Sequence, residues 1–243
     1  MFVPADSDFR LDFDCIIHIE SMDNLPYAED TEMRTPLEKA KRDPESTKAK
    51  ILKVARKIFG EYGYHGGTTR MIAEEVGIDL STIHYHWGEK KDLYEAVVLD
   101  INNDLGQMLR NVEKKAHGCP LDERMRISFD MMTDYLLEHP EISNLILLNY
   151  FSKTRIDSSL DVAVPEFTSD IARSMGLTKG KKEVSPRTML EVIIVMNAVH
   201  GLISGESFFL KVLNIDRNAY TELVKETLNF VLIPAFTTRE AGD

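Results

Sequence analysis

The stretch GYHGGTTRMIAEEVGIDLSTIHYHWGEKKDL, Gly63 to Leu93, decides the fold. Thr68 suits the cap position of a helix from Thr69 to Val76. Ile72, Ala73 and Val76 face inward there, and the small Ala73 lets a neighbouring helix come close. Gly77 supplies a left-handed turn. Ile78 fills the corner, and Asp79 caps a second helix from Leu80 to Trp87. Ile83 and Trp87 are four apart and share the inward face. Leu80, Ser81, Thr82, His84, Tyr85 and His86 are left outside. Two short helices joined by such a turn, the second polar on its outer side, are what is needed to hold a helix in the DNA major groove.

Upstream, Asp43-Pro44 opens a helix, with Asp43 as cap and Pro44 at the first helical position. Ile51, Leu52, Ala55, Ile58 and Phe59 make its apolar face. Lys48, Lys50, Lys53, Arg56 and Lys57 share the remaining surface, and Gly63 is expected to end the helix. In a chain of net charge −11, this basic helix is the first sign of a phosphate-facing surface. Residues 1–45 are acidic and lack sustained periodicity. They read as a largely disordered arm, with one short strand pattern at Leu11–Glu20 and no partner for it. A start of translation at Met22 or Met33 is the alternative. The arm is also a candidate competitor for the basic face.

Downstream, a long helix is expected from Leu93 to about Ala116, then helices at 121–138 and 141–151. A polar loop follows at 153–162, then a helix from Pro165 ended by Gly176. A second loop covers 177–185 and carries Lys179, Lys181 and Lys182. Pro186 opens a strongly apolar helix to about Leu213, and Asp216 caps a last one ending near Pro234. No strand pattern of any length and no repeat interrupts this, so the fold class is all-α.

The bulk composition is compatible with that reading. The 243 residues are 43% hydrophobic and 28% charged. No apolar run approaches the ~20 residues that span a bilayer, and the N-terminus lacks signal-peptide character. Cys15 and Cys119 form neither a disulfide framework nor a metal motif. A reduced, cytoplasmic protein without a membrane partner is the simplest expectation. His84 and His86 point to nearly opposite sides of their helix, which argues against a shared metal ion. No phosphate loop, nucleophile elbow, metal-spaced histidine set or carboxylate pair suggests an enzyme or a cofactor.

The residues Phe59, Gly63, Tyr64, Thr68, Ile72, Ala73, Gly77, Ile78, Ile83, Tyr85, His86, Trp87, Lys90 and Leu93 resemble the DNA-binding domain of the TetR family of bacterial transcriptional regulators. The resemblance covers about 46–106. It implies a three-helix helix-turn-helix domain at 46–106, followed by a helical ligand-binding and dimerisation domain at 107–243. Thr68 and Thr69, at a helix N-terminus, are then expected to hold a phosphate. Arg70 is expected to reach guanine or phosphate. Ser81 and Thr82 would reach base edges or backbone, Leu80 would pack on a thymine methyl or on a neighbouring side chain, His84 could change base preference, and Tyr85 and His86 would contact phosphate or thymine methyls. Lys90 should meet a phosphate. Departures are His84 where tyrosine is usual, Asp79 where serine is frequent, and Met71 where an acidic residue often completes a capping box.

The helix from Pro186 is apolar almost all round, and the last helix carries Leu223, Leu228, Val231 and Leu232. Two such helices and their twofold copies would form a four-helix dimer interface. The resemblance further implies a small-molecule effector cavity among Phe129, Met132, Tyr135, Leu136, Leu147, Tyr150, Phe151 and Phe167. Tyr135, Asn149, Tyr150 and His200 are the candidates for contacting the effector. The expected function is a homodimeric, ligand-responsive regulator, in the first instance a repressor, that binds double-stranded palindromic operator DNA and is released by the effector. A helix-turn-helix that contacts protein is the rival reading, and the basic first helix argues against it.

Overall fold

The computed structural model describes residues 35–151, 167–172, 175, 177 and 184–237. Among them there are helices and no strands. The expectations for 1–34, for the loop at 153–162 and for most of 177–185 lie outside the described residues.

The first helix, α1 (Pro36–Arg42), falls where the sequence reading assigns the whole of 1–45 to an arm. Its cap explains it. Thr35 Oγ1 accepts from the Glu38 N–H at 3.2 Å, and Glu38 returns the bond to the Thr35 N–H at 2.8 Å. Ala40 is buried, and Lys41 Nζ lies 2.9 Å from Asp100.

Helix α2 spans Thr47–Gly66. Its cap is Ser46 and not Asp43, since Ser46 Oγ accepts from the Ala49 N–H at 3.2 Å. Gly63 has φ 67° but bends the helix without ending it. Helices α3 (Thr69–Val76) and α4 (Leu80–Trp87) match the expected bounds. Between them Gly77 sits at φ 78°, ψ 39°, the left-handed conformation that a side chain resists. Asp79 occupies the cap position of α4, but its side chain makes no capping bond.

Helix α5 (Lys90–Ala116) starts three residues before the expected Leu93, because Asp92 Oδ2 accepts from the Glu89 N–H at 2.8 Å and stabilises the first turn. It runs through the boundary expected at 106, so the two parts of the chain share one helix. Helices α6 (Leu121–Glu138) and α7 (Pro140–Phe151) follow, and residues 167–172 are helical.

The expected single helix from Pro186 to Leu213 is two: α8 (Pro186–Ser204) and α9 (Glu206–Leu213). The chain bends at Gly205, at φ −86° and ψ 3°, where the bridge conformation interrupts the helical series. The last helix is α10 (Arg217–Thr237). The sequence contains no apolar run of bilayer length, yet α8 has the length and composition of a membrane span. Only 33% of its most apolar window is buried within the protomer.

The core is continuous from the helix-turn-helix to the C-terminal helices. Phe59 of α2 meets Tyr94 of α5 edge-on, with ring centroids 5.2 Å apart. Helix α7 packs along α2. The approach is so close that a Cβ at Gly60 would lie 2.7 Å from the Glu141 Cβ. Helix α10 packs on α6, and α8 on α7. Tyr220 is fully buried and donates to the Leu202 carbonyl at 2.7 Å, which ties α10 to α8.

Candidate nucleic-acid interface

The outer face of α4 is held out by its inner face. Ile83 is fully buried, and Trp87 is 4% exposed. The Trp87 indole N–H donates to the Lys48 carbonyl at 3.2 Å, which fixes the end of α4 against the start of α2. Burying the two side chains contributes on the order of 4 kcal/mol. The opposite side of the same two turns stays open. Tyr85 is 85% exposed and Leu80 38%, and Ser81 and His84 are also exposed. Thr82 and His86 are half-buried.

Helices α3 and α5 bring the remaining candidates to elements packed on α4. Thr68 caps α3 by accepting from the Met71 N–H at 3.2 Å. Met71 thus supplies the backbone half of a capping box and cannot supply the side-chain half. Thr68 and Arg70 are exposed, and Thr69 is half-buried. Lys90 opens α5 with its ammonium 4.6 Å from the Tyr64 ring centroid. That contact and the partial burial that lowers its pKa pre-position the charge. His84 Nδ1 lies 3.1 Å from the Gly88 carbonyl, so its ring is held against its own helix end. Burial, and then the Lys48 charge, lower the pKa of His86 and favour its neutral form.

One member of the basic helix does not belong to this surface. Arg56 turns inward at the junction of α2, α5 and α7. Its guanidinium lies 2.6 Å from Asp100 Oδ2, bonds Asp104, and reaches Glu141 at 3.4 Å. Burial alone would lower its pKa, but the Asp104 and Asp100 interactions outweigh this and raise it. Lys50 and Lys57 remain outside in loose pairs with Glu45 at 3.9 Å and Glu75 at 3.8 Å.

The candidates for effector contact sit among α6, α7 and α8. Asn149 and His200 are buried, while Tyr135 and Tyr150 are half-buried. Burial raises the pKa of both tyrosines. His200 Nδ1 lies 3.0 Å from Ser143 Oγ. Among the described residues, the polar side-chain atoms buried without a hydrogen-bond partner include Asn102 Oδ1 on α5, Thr133 Oγ1 on α6 and Asn197 Oδ1 on α8. The only sequence signal for them was a polar residue on an otherwise apolar face.

Burial holds the His200 imidazole down to about 4. Above its ordinary value near 6.5 the folded and unfolded chains are both neutral there, and the group contributes no pH dependence. Between 6.5 and 4 the unfolded chain binds the proton and the folded one does not. Stability therefore falls as pH falls through that window, by about 2–3 kcal/mol from this group. Urea unfolding at pH 7 and pH 4.5 is expected to show this loss in the wild type, and His200→Gln is expected to remove that component. An identical pH slope in the variant would refute the assignment.

The fold and the exposed outer face of α4 define a helix-turn-helix DNA-binding protein. Residues 51–97 match the model of the bacterial regulatory proteins of the tetR family. The repressor AcnR of Corynebacterium glutamicum is 26% identical over 128 residues, which is 49% of this chain and 68% of that protein. The biofilm operon negative regulator IcaR of Staphylococcus aureus is 30% identical over 100 residues, covering 40% of this chain and 54% of that one. Among solved structures, a TetR-like regulator from Rhodococcus superposes with a TM-score of 0.51 at 15% identity, covering 75% of this chain and 92% of that one. The fatty acid degradation regulator FadR of Bacillus halodurans gives 0.51 at 14% identity, covering 83% and 98%. Residues 51–97 are thus similar to the DNA-binding domain of the tetR family, and the rest of the chain shares the helical fold of TetR-like regulators. AcnR and IcaR are both named as transcriptional regulators.

Proposed function

We propose that the protein is a cytoplasmic homodimer that represses transcription at a palindromic operator and is released by a small-molecule effector. The observation that carries the DNA reading is the outer face of α4, open to solvent while its inner face is locked by Ile83 and Trp87. Leu80, Ser81, Thr82, His84, Tyr85 and His86 read the major groove. Thr68, Thr69, Arg70 and Lys90 hold it from both sides, the threonines at a helix N-terminus where backbone amides favour phosphate.

The dimer reading rests on α8 and α10. Leu190 and Ile194 lie four apart on α8 and are 57% and 56% exposed. Leu223, Phe230 and Val231 of α10 are 41%, 82% and 56% exposed. A second copy related by a twofold axis would cover these faces and complete a four-helix bundle. The effector reading is supported by Asn102, Thr133 and Asn197, since a buried polar atom without a partner is costly and a polar ligand group offsets that cost. Tyr135 of α6, Asn149 and Tyr150 of α7, and His200 of α8 are the candidate contacts. The effector acts by binding the released conformation better than the DNA-bound one.

A mobility-shift titration on the duplex upstream of the protein's own gene tests this. Lys90→Ala should weaken binding to all sequences alike and lower the salt slope by about 1. Arg70→Ala should relax preference at one base pair by about 1–3 kcal/mol. No retained duplex at low salt, with or without added metabolites, would count against the whole reading.

A further inference from the structure

We propose that the groove between α1, the start of α2 and α4 clamps a phosphodiester of the DNA backbone flanking the half-site, with Lys39 and Lys48 as its two cations. The inference rests on the DNA-binding reading and extends it to residues outside the family-matched stretch 51–97.

The open groove has a volume of about 570 Å³. Lys39 comes from α1, and Ser46, Thr47 and Lys48 come from the start of α2. Tyr85 and His86 of α4 form another part of its lining, so the groove adjoins the face that reads DNA. Asp43 also lines it, and its Oδ1 is engaged by the Glu45 N–H at 3.3 Å. Neither Lys39 nor Lys48 forms an ion pair with a carboxylate among the described residues. Burial, and then the neighbouring Lys39 charge, depress the pKa of Lys48. Two like charges held near each other repel, and an anion between them turns that repulsion into attraction.

Both jaws are held in place by the rest of the fold. Helix α1 is anchored by buried Ala40 and by Lys41 on Asp100 at 2.9 Å, which leaves Lys39 free to face the groove. Lys48 is fixed through its carbonyl by the Trp87 indole at 3.2 Å, and its ammonium lies 5.9 Å from the Trp87 ring centroid. The start of α2 adds the positive end of a 20-residue helix. A duplex seated on Tyr85 and His86 would carry its backbone into this groove. A free phosphate has the same charge but no such neighbour to place it, so the DNA backbone is the favoured occupant.

The test uses the full chain and a duplex selected from a random pool by the wild-type protein. Each lost phosphate contact lowers the salt slope by about 0.9. The double variant Lys39→Ala, Lys48→Ala should therefore lose about 1.8 in slope, so that raising salt from 50 to 200 mM weakens the wild type about 12-fold more than the variant. The selected sequence should stay the same, and phosphate-ethylation interference should vanish at positions flanking the half-site. Lys39→Glu, an exposed change that spares Trp87, should weaken binding further, while Lys211→Ala on α9 should not. If the double variant keeps the wild-type slope while Lys90→Ala reduces it, the clamp is wrong and the DNA reading stands. If inorganic phosphate shifts the Lys39 and Lys48 side-chain signals of the wild type while the double variant binds duplex with wild-type affinity and slope, the groove takes a soluble anion and the proposal is overturned. If the wild type retains no duplex at all, both readings fall together.

Discussion

Arg56→Leu is expected to destabilise the protein by about 3–5 kcal/mol, read as a lower urea midpoint with an unchanged slope. The arginine is the shared partner of Asp100, Asp104 and Glu141, carboxylates from two helices. Asp100 is 5% exposed. Removing the cation leaves that charge with Lys41, on the half-exposed outer side, and leaves Glu141 facing His139 at 3.7 Å. Taking one partner from a buried ion pair is far more damaging than replacing the pair, because the remaining charge has lost both water and counterion. The combination Arg56→Leu, Asp100→Asn should therefore recover a large part of the loss. If the single variant melts like the wild type, the network is a surface feature and the account of this junction is wrong. The junction also has a functional side. Arg56 belongs to α2 within the matched stretch 51–97, Glu141 to α7 beyond it, and Asp100 and Asp104 to α5. A shift of α7 would therefore be felt directly by α2, in addition to any movement of α5.

The double variant Ile194→Glu, Phe230→Glu is expected to be monomeric in sedimentation and to bind the selected duplex about 10²–10⁴-fold more weakly. Both side chains are exposed in the protomer, so the change should leave the fold and the thermal transition of the monomer intact. In a twofold interface each position occurs twice, and four carboxylates would be buried against apolar neighbours. The loss of DNA affinity follows from losing the second head, since a linked pair of weak sites binds far more tightly than either alone. A folded variant that remains dimeric would move the interface away from α8 and α10.

The helix-turn-helix was legible because its signals are local. Thr68, Gly77, Ile83 and Trp87 each act within a few residues, and the observed bounds of α3 and α4 follow them. Arg56 was misread because its partners are 44, 48 and 85 positions away, and spacing along α2 gave it the same standing as its lysine neighbours. Helix α1 is too short for periodicity to show, although Thr35 and Glu38 carried the cap signature. On the last helix, Leu228 and Leu232 are buried while Leu223 and Val231 are exposed. The pattern Leu223, Leu228, Val231 and Leu232 suggests a single apolar side, where there are two, one for the protomer core and one that includes Phe230. The break at Gly205 was missed because apolar residues continue across it.

Two copies of α4 are expected to enter successive major grooves of one duplex. This placement is tested most directly by Tyr85→Cys carrying a tethered iron chelate that cuts nearby DNA. The account predicts two symmetric sets of cuts on the selected duplex, centred about 34–36 Å apart or a multiple of one turn. A single set of cuts, or none while the duplex stays bound, would contradict it.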